Sequence, residues 1–183
     1  MTTPPPADAM DLVVRALRFA AHHHRDQRRK DSARRPYINH PVEVMGLLWA
    51  HAGVRDAVTL AAALLHDVVE DCEVTEAEIA LEFGEEVARL VMEVTDDKDL
   101  PRARRRQAQV EGAPRLSPRA RLIRIADKLH NIRSLRDGTP EGWDADRIVG
   151  YVGWARTVVD LLRGTSAELE ALFDAAVADL AAS

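Results

Sequence analysis

A histidine–aspartate pair, followed closely by two further acids, lies in an apolar stretch of this sequence. His66 and Asp67 precede Glu70 and Asp71, and leucine and valine flank them. Burying four titratable groups is costly unless something compensates them, and a divalent cation does so. In a continuous helix, residues four apart share a face, which would place His66 over Glu70 and Asp67 over Asp71. The pattern predicts a surface that holds a metal ion beside a water; the alternative is a helix end with solvated acids.

Two further segments extend this candidate metal set. His40 precedes Pro41, which can open a helix at its first position, and Asp127 falls within an amphipathic helical pattern with Asn131 four residues later. His40, His66, Asp67 and Asp127 then form a set of two imidazoles and two carboxylates from three separate helices. Mixed nitrogen and oxygen ligands suit Mn²⁺, Fe²⁺, Zn²⁺ or Co²⁺ better than Ca²⁺.

A basic segment leads directly into this candidate site, although the protein as a whole is acidic. Arginine matches phosphate oxygens with two parallel hydrogen bonds and also stacks on bases, so the segment is suited to receiving an anion. A solvated charged loop is the alternative interpretation. The basic residues concerned are Arg28, Arg29, Lys30, Arg34 and Arg35.

Several other polar residues have weaker signals. Arg147 and Tyr151 are four apart on one predicted helix, where they would either hold a nucleotide or pack at a helix–helix seam. We expect His22, His23 and His24 at the surface, because adjacent helical residues point about 100° apart and cannot converge on one ion. We expect His51 and His130 to have structural or supporting roles. Four arginines are expected to form a solvated face, from which Arg102 reaches the pocket: Arg102, Arg104, Arg105 and Arg106.

Composition limits the class of protein. With 183 residues, 46% of them apolar, the chain fits one domain with a core. A net charge of −5 and a pI of about 5.8 argue against a general affinity for nucleic acid or anionic membranes. The single Cys72 agrees with a reducing cytoplasm, and no apolar run reaches the roughly 18 residues of a membrane span.

Helical periodicity covers almost the entire chain, and no segment alternates as a strand does. We predict an all-α fold: a single compact bundle of about eight to ten helices over residues 8–183, with residues 1–7 as a disordered N-terminus. Predicted helix starts are marked by capping residues, and residues 101–111 form either a mobile helix or a lid. The capping residues are Asp8, Asp56, Thr75 (with Glu78, a capping box), Ser117, Asp144, and Thr165 or Ser166.

These motifs together resemble a known family. The series His40, His66-Asp67 and Asp127 is similar to the HD superfamily of metal-dependent phosphohydrolases. More narrowly, the chain resembles the hydrolase domain of RelA/SpoT homologues, and within them the stand-alone small alarmone hydrolases of the metazoan SpoT type. The segments that carry the resemblance are RKD at 29–31, PYINHP at 36–41, ALLHDVVED at 63–71, VTDDK at 94–98, ADKLHN at 126–131 and TPEGW at 139–143, followed by Tyr151 and Trp154.

The resemblance implies an all-helical HD domain that binds one Mn²⁺ and removes the 3′-pyrophosphate of guanosine tetra- or pentaphosphate. It implies metal ligation by His40, His66, Asp67 and Asp127, and a catalytic acidic pair formed by Glu70 and Asp71. It also implies substrate contacts from six residues, namely Arg29, Lys30, Asn131, Ser134, Arg147 and Tyr151. The chain stops where longer members continue into synthetase and regulatory domains, so clearance of the alarmone is the expected task.

Two other functions remain open. The same site could act on another 2′- or 3′-phosphorylated nucleotide, such as NADPH, and would then release phosphate instead of pyrophosphate. The protein could also sense the alarmone without turnover, although a sensor has no need of the Glu70-Asp71 pair. A small guanosine nucleotide is the expected partner, and the sequence leaves the oligomeric state open.

Overall fold

Helices and short loops account for residues 7–182, the part of the chain that the computed structural model describes. This confirms the predicted all-α class; an isolated bridge between Arg28 and Pro36 closes the basic loop. The helices are α1 (Ala7–His23), α2 (Asn39–Ala50), α3 (Ala57–Leu65), α4 (Val68–Asp71), α5 (Glu76–Phe83), α6 (Glu85–Val94), α7 (Arg102–Gly112), α8 (Pro118–Asp137), α9 (Ala145–Asp160) and α10 (Ala167–Ala182), with a 3-10 turn at Ala113–Arg115.

The core is built around α3. Every residue from Thr59 to Leu65 is buried, as expected for a helix that is apolar on all sides and surrounded by others. Helices α1, α2, α6 and α8 pack against it, and α10 packs against α8. The end of α3 therefore projects His66 and Asp67 into the interior.

Local sequence signals fix several helix starts as predicted. The Asp56 side chain accepts hydrogen bonds from the Val58 and Thr59 amides at the start of α3. Thr75 and Glu78 form the reciprocal capping box of α5, and Ser117 caps α8. The capping side chains accept hydrogen bonds from backbone amides that have no partner inside the helix. Because donor and acceptor are only two or three residues apart, these caps depend on local sequence.

The continuous helix predicted through His66 and Asp71 is wrong. Helix α3 ends at Leu65, His66 and Asp67 form a turn, and α4 adds a single turn from Val68 to Asp71. The His66 Nδ1 atom lies 2.7 Å from the Ala63 carbonyl oxygen, the acceptor that a continuing helix offers to the Asp67 amide. The ring thus competes with the helix for this acceptor and turns its other nitrogen inward.

The N-terminal helix begins slightly earlier than predicted, and a few terminal residues lie outside the described part of the chain. Helix α1 begins at Ala7, within the segment 1–7 expected to be disordered, whereas residues 1–6 and 183 lie outside the described residues. The segment expected to be a helix or a lid forms α7, which buries no residue. None of the helices within residues 7–182 combines the length and apolar character needed to span a bilayer.

Candidate active site

The turn after α3 brings three of the predicted ligands together. His40, at the start of α2, and His66 and Asp67 offer ligand atoms that all lie within 4.8 Å of one another. Asp67 Oδ2 is 3.4 Å from His40 Nε2 and 3.2 Å from His66 Nε2, and it also accepts a 2.7 Å hydrogen bond from the Tyr37 hydroxyl. Both imidazoles are buried, so the group is shielded from solvent.

The protonation of His66 follows from its partners. A carbonyl oxygen only accepts, so the 2.7 Å contact with Ala63 places the proton on Nδ1. His66 Nε2 is buried and has no hydrogen-bond partner among the described residues. A buried ring nitrogen that faces a carboxylate oxygen needs positive charge between them, which either a proton on Nε2 or a metal cation in its place supplies, so this geometry fits a divalent metal ion.

His40 is oriented by a second histidine behind it. The Nδ1 atoms of His40 and His130 are 2.7 Å apart, so one of them carries the shared proton. Burial, followed by the neighbouring His40, lowers the pKa of His130 to about 3, so His130 is uncharged and can accept. With the proton on His40 Nδ1, its Nε2 lone pair is free for a metal, which confirms the supporting role expected of His130.

Asp127 borders this group from α8. Its Oδ1 atom lies 3.3 Å from His40 Nε2 and accepts a 2.6 Å hydrogen bond from Asn131, while its Oδ2 atom is 2.9 Å from Lys128 Nζ. The compact group of mutually close atoms comprises His40, His66 and Asp67, and Asp127 contacts it through His40. Two imidazoles and two acids from α2, the α3–α4 turn and α8 therefore converge as predicted, with mixed nitrogen and oxygen donors suited to a divalent transition metal.

Electrostatics hold the acids of the site in their charged forms. Burial opposes ionisation of Asp67, but His66 beside it keeps the pKa of the carboxyl well below its usual range. Burial likewise opposes ionisation of Asp127, and the Lys128 ammonium keeps its pKa low. Burial lowers the pKa of His66, but the Asp67 carboxylate more than offsets this and raises it to about 9. The site thus has a strong preference for positive charge between these groups.

The second acidic pair lies on α4, at the edge of the metal group. Burial, followed by repulsion from Asp96 and Asp67, raises the pKa of Glu70 to about 7. Asp71 forms an ion pair with Lys98. The two acids therefore differ in environment, with Glu70 closer to proton exchange at neutral pH.

A cavity of about 640 Å³ opens over these acids, and its lining carries an excess of basic side chains. Within this lining, Arg29 Nη2 donates a 2.8 Å hydrogen bond to Asn131 Oδ1, which links the basic segment to the Asp127 network. The lining includes the predicted residues Arg29, Lys30, Glu70, Asp71, Asn131, Ser134 and Tyr151, and also Gln27, Arg28, Asp31, Tyr37, Lys98, Arg105, Leu135, Gly138, Pro140 and Trp143.

Arg147 is the predicted contact that does not line this cavity. Its guanidinium lies over the Trp143 ring, 4.7 Å from the ring centroid, so it supports an aromatic wall from outside. Among the arginines of α7, Arg105 lines the cavity, whereas Arg102 also lies over Trp143. Arg102, expected to reach the pocket, therefore contacts Trp143 in its wall, whereas Arg105, expected on a solvated face, lines the cavity.

The sequence reasoning also misplaced His24, which is only 1% exposed. Its ring stacks on Tyr37 with 4.9 Å between centroids, and its Nδ1 atom lies 2.7 Å from Gln27 Oε1. The run of three histidines hid this residue, because His22 is exposed as predicted and only tertiary packing distinguishes the two. Tyr37, Lys98 and Trp143 were present in the quoted motifs, so their positions could have been noted from sequence.

Comparison with known proteins decides the family. A family model described as HD domain matches residues 16–149, which is most of the chain. The chain belongs to the HD domain family. Within it, this HD domain is 52% identical to mouse guanosine-3′,5′-bis(diphosphate) 3′-pyrophosphohydrolase MESH1 over 86% of this chain and 88% of the mouse protein, and 52% identical to human MESH1 over the same shares.

A solved structure gives the same answer for the fold. The structure of a metazoan orthologue of SpoT that hydrolyses ppGpp aligns with a TM-score of 0.89 at 45% identity, covering 97% of this HD domain and 98% of that chain. The resemblance to the RelA/SpoT group, drawn from the motifs above, is confirmed.

Proposed function

We propose that this HD domain hydrolyses the 3′-pyrophosphate of guanosine tetra- and pentaphosphate, releasing pyrophosphate and GDP or GTP. The observation that carries the proposal is the buried group of His40, His66 and Asp67, which Tyr37 connects to a basic cavity that Glu70 also lines. The mouse and human relatives, which are 52% identical to this HD domain, are named for hydrolysis of guanosine-3′,5′-bis(diphosphate). We further propose one Mn²⁺ per chain, with other divalent transition metals as substitutes, and a cytoplasmic location that suits the free Cys72.

The cavity has the chemistry that a polyphosphorylated nucleoside requires. Arg29, Lys30 and Lys98 supply positive charge for phosphate oxygens, and Arg29 is held by Asn131 so that its planar group is already ordered. In the same lining, Trp143 and Tyr151 pack edge to face with 5.4 Å between ring centroids and offer aromatic surface to a base or ribose. Ser134 lines the cavity and contacts the substrate directly, whereas Arg147 acts through Trp143.

The acids of the site have different proposed roles: metal ligation, general-base catalysis and an ion pair with Lys98. When bound by His40, His66, Asp67 and Asp127, a divalent cation supplies polarisation of phosphoryl oxygens and acidifies a nearby water. Glu70 is placed to orient the attacking water and accept its proton, because its pKa of about 7 is close to that of a working general base. Asp71, paired with Lys98, keeps this ammonium at the cavity, where it stabilises negative charge on the departing pyrophosphate.

The test is turnover of guanosine tetraphosphate with Mn²⁺, with the products separated by ion-exchange chromatography. We expect pyrophosphate and GDP from the wild type. Glu70→Gln should retain one metal per chain and lose about 10²- to 10⁴-fold in kcat, as the loss of a general base does. Asp67→Ala should lose both metal and turnover, whereas Glu76→Gln, which changes an exposed acid on α5, should match the wild type.

Each alternative has its own outcome. Wild-type rates in Glu70→Gln would remove the assigned role of the acidic pair. Release of phosphate from a 2′- or 3′-phosphorylated nucleotide such as NADPH, without pyrophosphate from guanosine tetraphosphate, would replace the substrate. Tight binding of guanosine tetraphosphate with no product would make the protein a sensor.

A further inference from the structure

Helix α4, which carries Glu70 and Asp71, is too short to hold itself in place. It has one turn from Val68 to Asp71, and isolated helices of this length are unstable in water. The next residues turn away sharply, with Glu73 in the left-handed region at φ 57°, where glycine is usual after a helix. The carbonyl groups at the end of α4 therefore need a partner from another element.

Gln27, in the loop after α1, supplies this partner. Its Nε2 atom donates a 2.7 Å hydrogen bond to the Asp71 carbonyl oxygen and lies 3.4 Å from Cys72 Sγ. A helix C-terminus is thus closed by a side chain from 44 residues earlier in the sequence. Because the bond reaches the backbone of the acidic pair, movement of Gln27 would move the carboxylates relative to the metal group.

The Asp71 carbonyl sets which way the Gln27 amide points, and His24 stabilises that orientation. Since the Asp71 carbonyl only accepts, Gln27 must present its nitrogen there, which turns its oxygen towards His24 Nδ1 at 2.7 Å. His24 is buried and donates from Nδ1, while its Nε2 atom has no hydrogen-bond partner among residues 7–182. The same ring stacks on Tyr37, whose hydroxyl donates to Asp67. The end of α1 therefore supports both ends of the Asp67–Asp71 segment.

We propose that Gln27, oriented by His24, is a positioning residue that holds Glu70 and Asp71 in register with the metal group. The roles of this acidic pair come from the function proposed above, on which the inference rests. Neither residue needs to touch the reacting atoms, since the action of His24 passes through Gln27 and that of Gln27 through the α4 backbone.

Activity measurements test the proposal through the split between kcat and KM. Gln27→Met keeps the length of the side chain but cannot donate, so we expect kcat to fall about 10- to 100-fold, as for other residues that support a metal site from behind. KM should change by less than about threefold and metal content should stay at one per chain, because the metal ligands are intact. Gln27 also lines the cavity, but both polar atoms of its amide are already bonded within the protein. Gln107→Met is the matched control, since Gln107 is exposed and its side chain donates to Glu111 on its own helix.

A double-mutant cycle tests whether His24 acts through Gln27. His24→Phe keeps a ring to stack on Tyr37 but removes the Nδ1 donor, so kcat should fall here too. If His24 acts through Gln27, the kcat of the double variant should match that of Gln27→Met within about twofold. Independent roles would instead multiply the two losses in kcat, and that result would overturn the assigned order. His24→Phe also serves as the second probe should Gln27→Met fold poorly.

Hydrogen exchange separates this proposal from the proposed function. In Gln27→Met the peptide covering residues 67–73 should exchange at least about tenfold faster while α10 keeps wild-type protection. If the wild type shows no turnover, the proposed function fails, yet faster exchange of this peptide still supports positioning. Unchanged exchange and unchanged kcat would overturn the inference, as would a lowered Tm with wild-type kcat, which marks a purely structural role.

Discussion

At the scale of single residues, the state of the Glu70 carboxyl governs the proposed chemistry. Burial, then the charges of Asp96 and Asp67, raise its pKa to about 7, and the charged form is the one that accepts a proton. Turnover should therefore rise with pH as Glu70 ionises. A bound cation favours the charged form, so the acid limb of the kcat profile should lie at or below about 7.

Asp96 offers a direct test of this pH dependence. Its amide donates to Glu70 Oε2 at 3.4 Å, so its charge lies close to the Glu70 carboxyl. Asp96→Asn removes a like charge but keeps the size of the side chain, and it should move the acid limb to lower pH by about one unit or less. Asp97→Asn, at the exposed neighbouring position, is the control. An equal displacement in both variants, or none in Asp96→Asn, would contradict the assigned repulsion.

At the scale of elements, α7 is held in an unusual way. It buries no residue, and its contacts include the aromatic side chains of α9, a hydrogen bond from Gln109 to Asp96 and packing of Val110 against the core. Arg106 lies 5.5 Å from the Tyr151 ring centroid and 5.0 Å from that of Trp154, and its carbonyl accepts from Trp154 Nε1 at 3.1 Å. Because Arg105 of the same helix lines the cavity, detachment of α7 would open one wall of the pocket.

Arg106→Ala should loosen this wall without harming the core. Each cation–π contact contributes about 0.5–2 kcal/mol, so KM should rise roughly two- to tenfold, with a smaller effect on kcat. Amide exchange in residues 102–112 should become faster. Arg104→Ala, at an exposed position on the same helix, should change neither property. Wild-type exchange in Arg106→Ala would show that other contacts hold α7.

At the scale of the whole molecule, the core surrounds a charged centre. His40, His66, Asp127 and Lys128 are all buried beside the apolar side chains of α3 and α8. Buried charges lower the stability of a fold unless they are paired, and removing one partner is strongly destabilising because it leaves an uncompensated buried charge. A cation bound between α2, the α3–α4 turn and α8 would therefore stabilise the fold.

Removal of the metal should lower the stability of the whole domain. A metal at about 100 times its Kd stabilises the native state by about 2.7 kcal/mol, which corresponds to a Tm shift of about 5–10 °C for a chain of this size. Thermal unfolding with Mn²⁺ and with EDTA measures this shift directly. Asp67→Ala should unfold at one temperature under both conditions. An equal response to EDTA in this variant would place the metal elsewhere.

Local interactions explain why much of the fold was predictable. The capping box of Thr75 and Glu78 and the apolar face of α6 depend on residues only three or four positions apart, so each is encoded where it occurs. The ligand types were also readable, because His66 and Asp67 in an apolar stretch need compensation wherever the chain places them.

Packing decided what the sequence alone left undetermined. Helical periodicity continues on both sides of His66 and Asp67, so the two-residue turn that aims them at His40 is visible only once the end of α3 lies in the interior. The burial of His24, beside exposed His22, likewise depends on Tyr37 and Gln27 folding over it. Residue chemistry is a local property, whereas convergence and burial depend on contacts between segments that are distant in the chain.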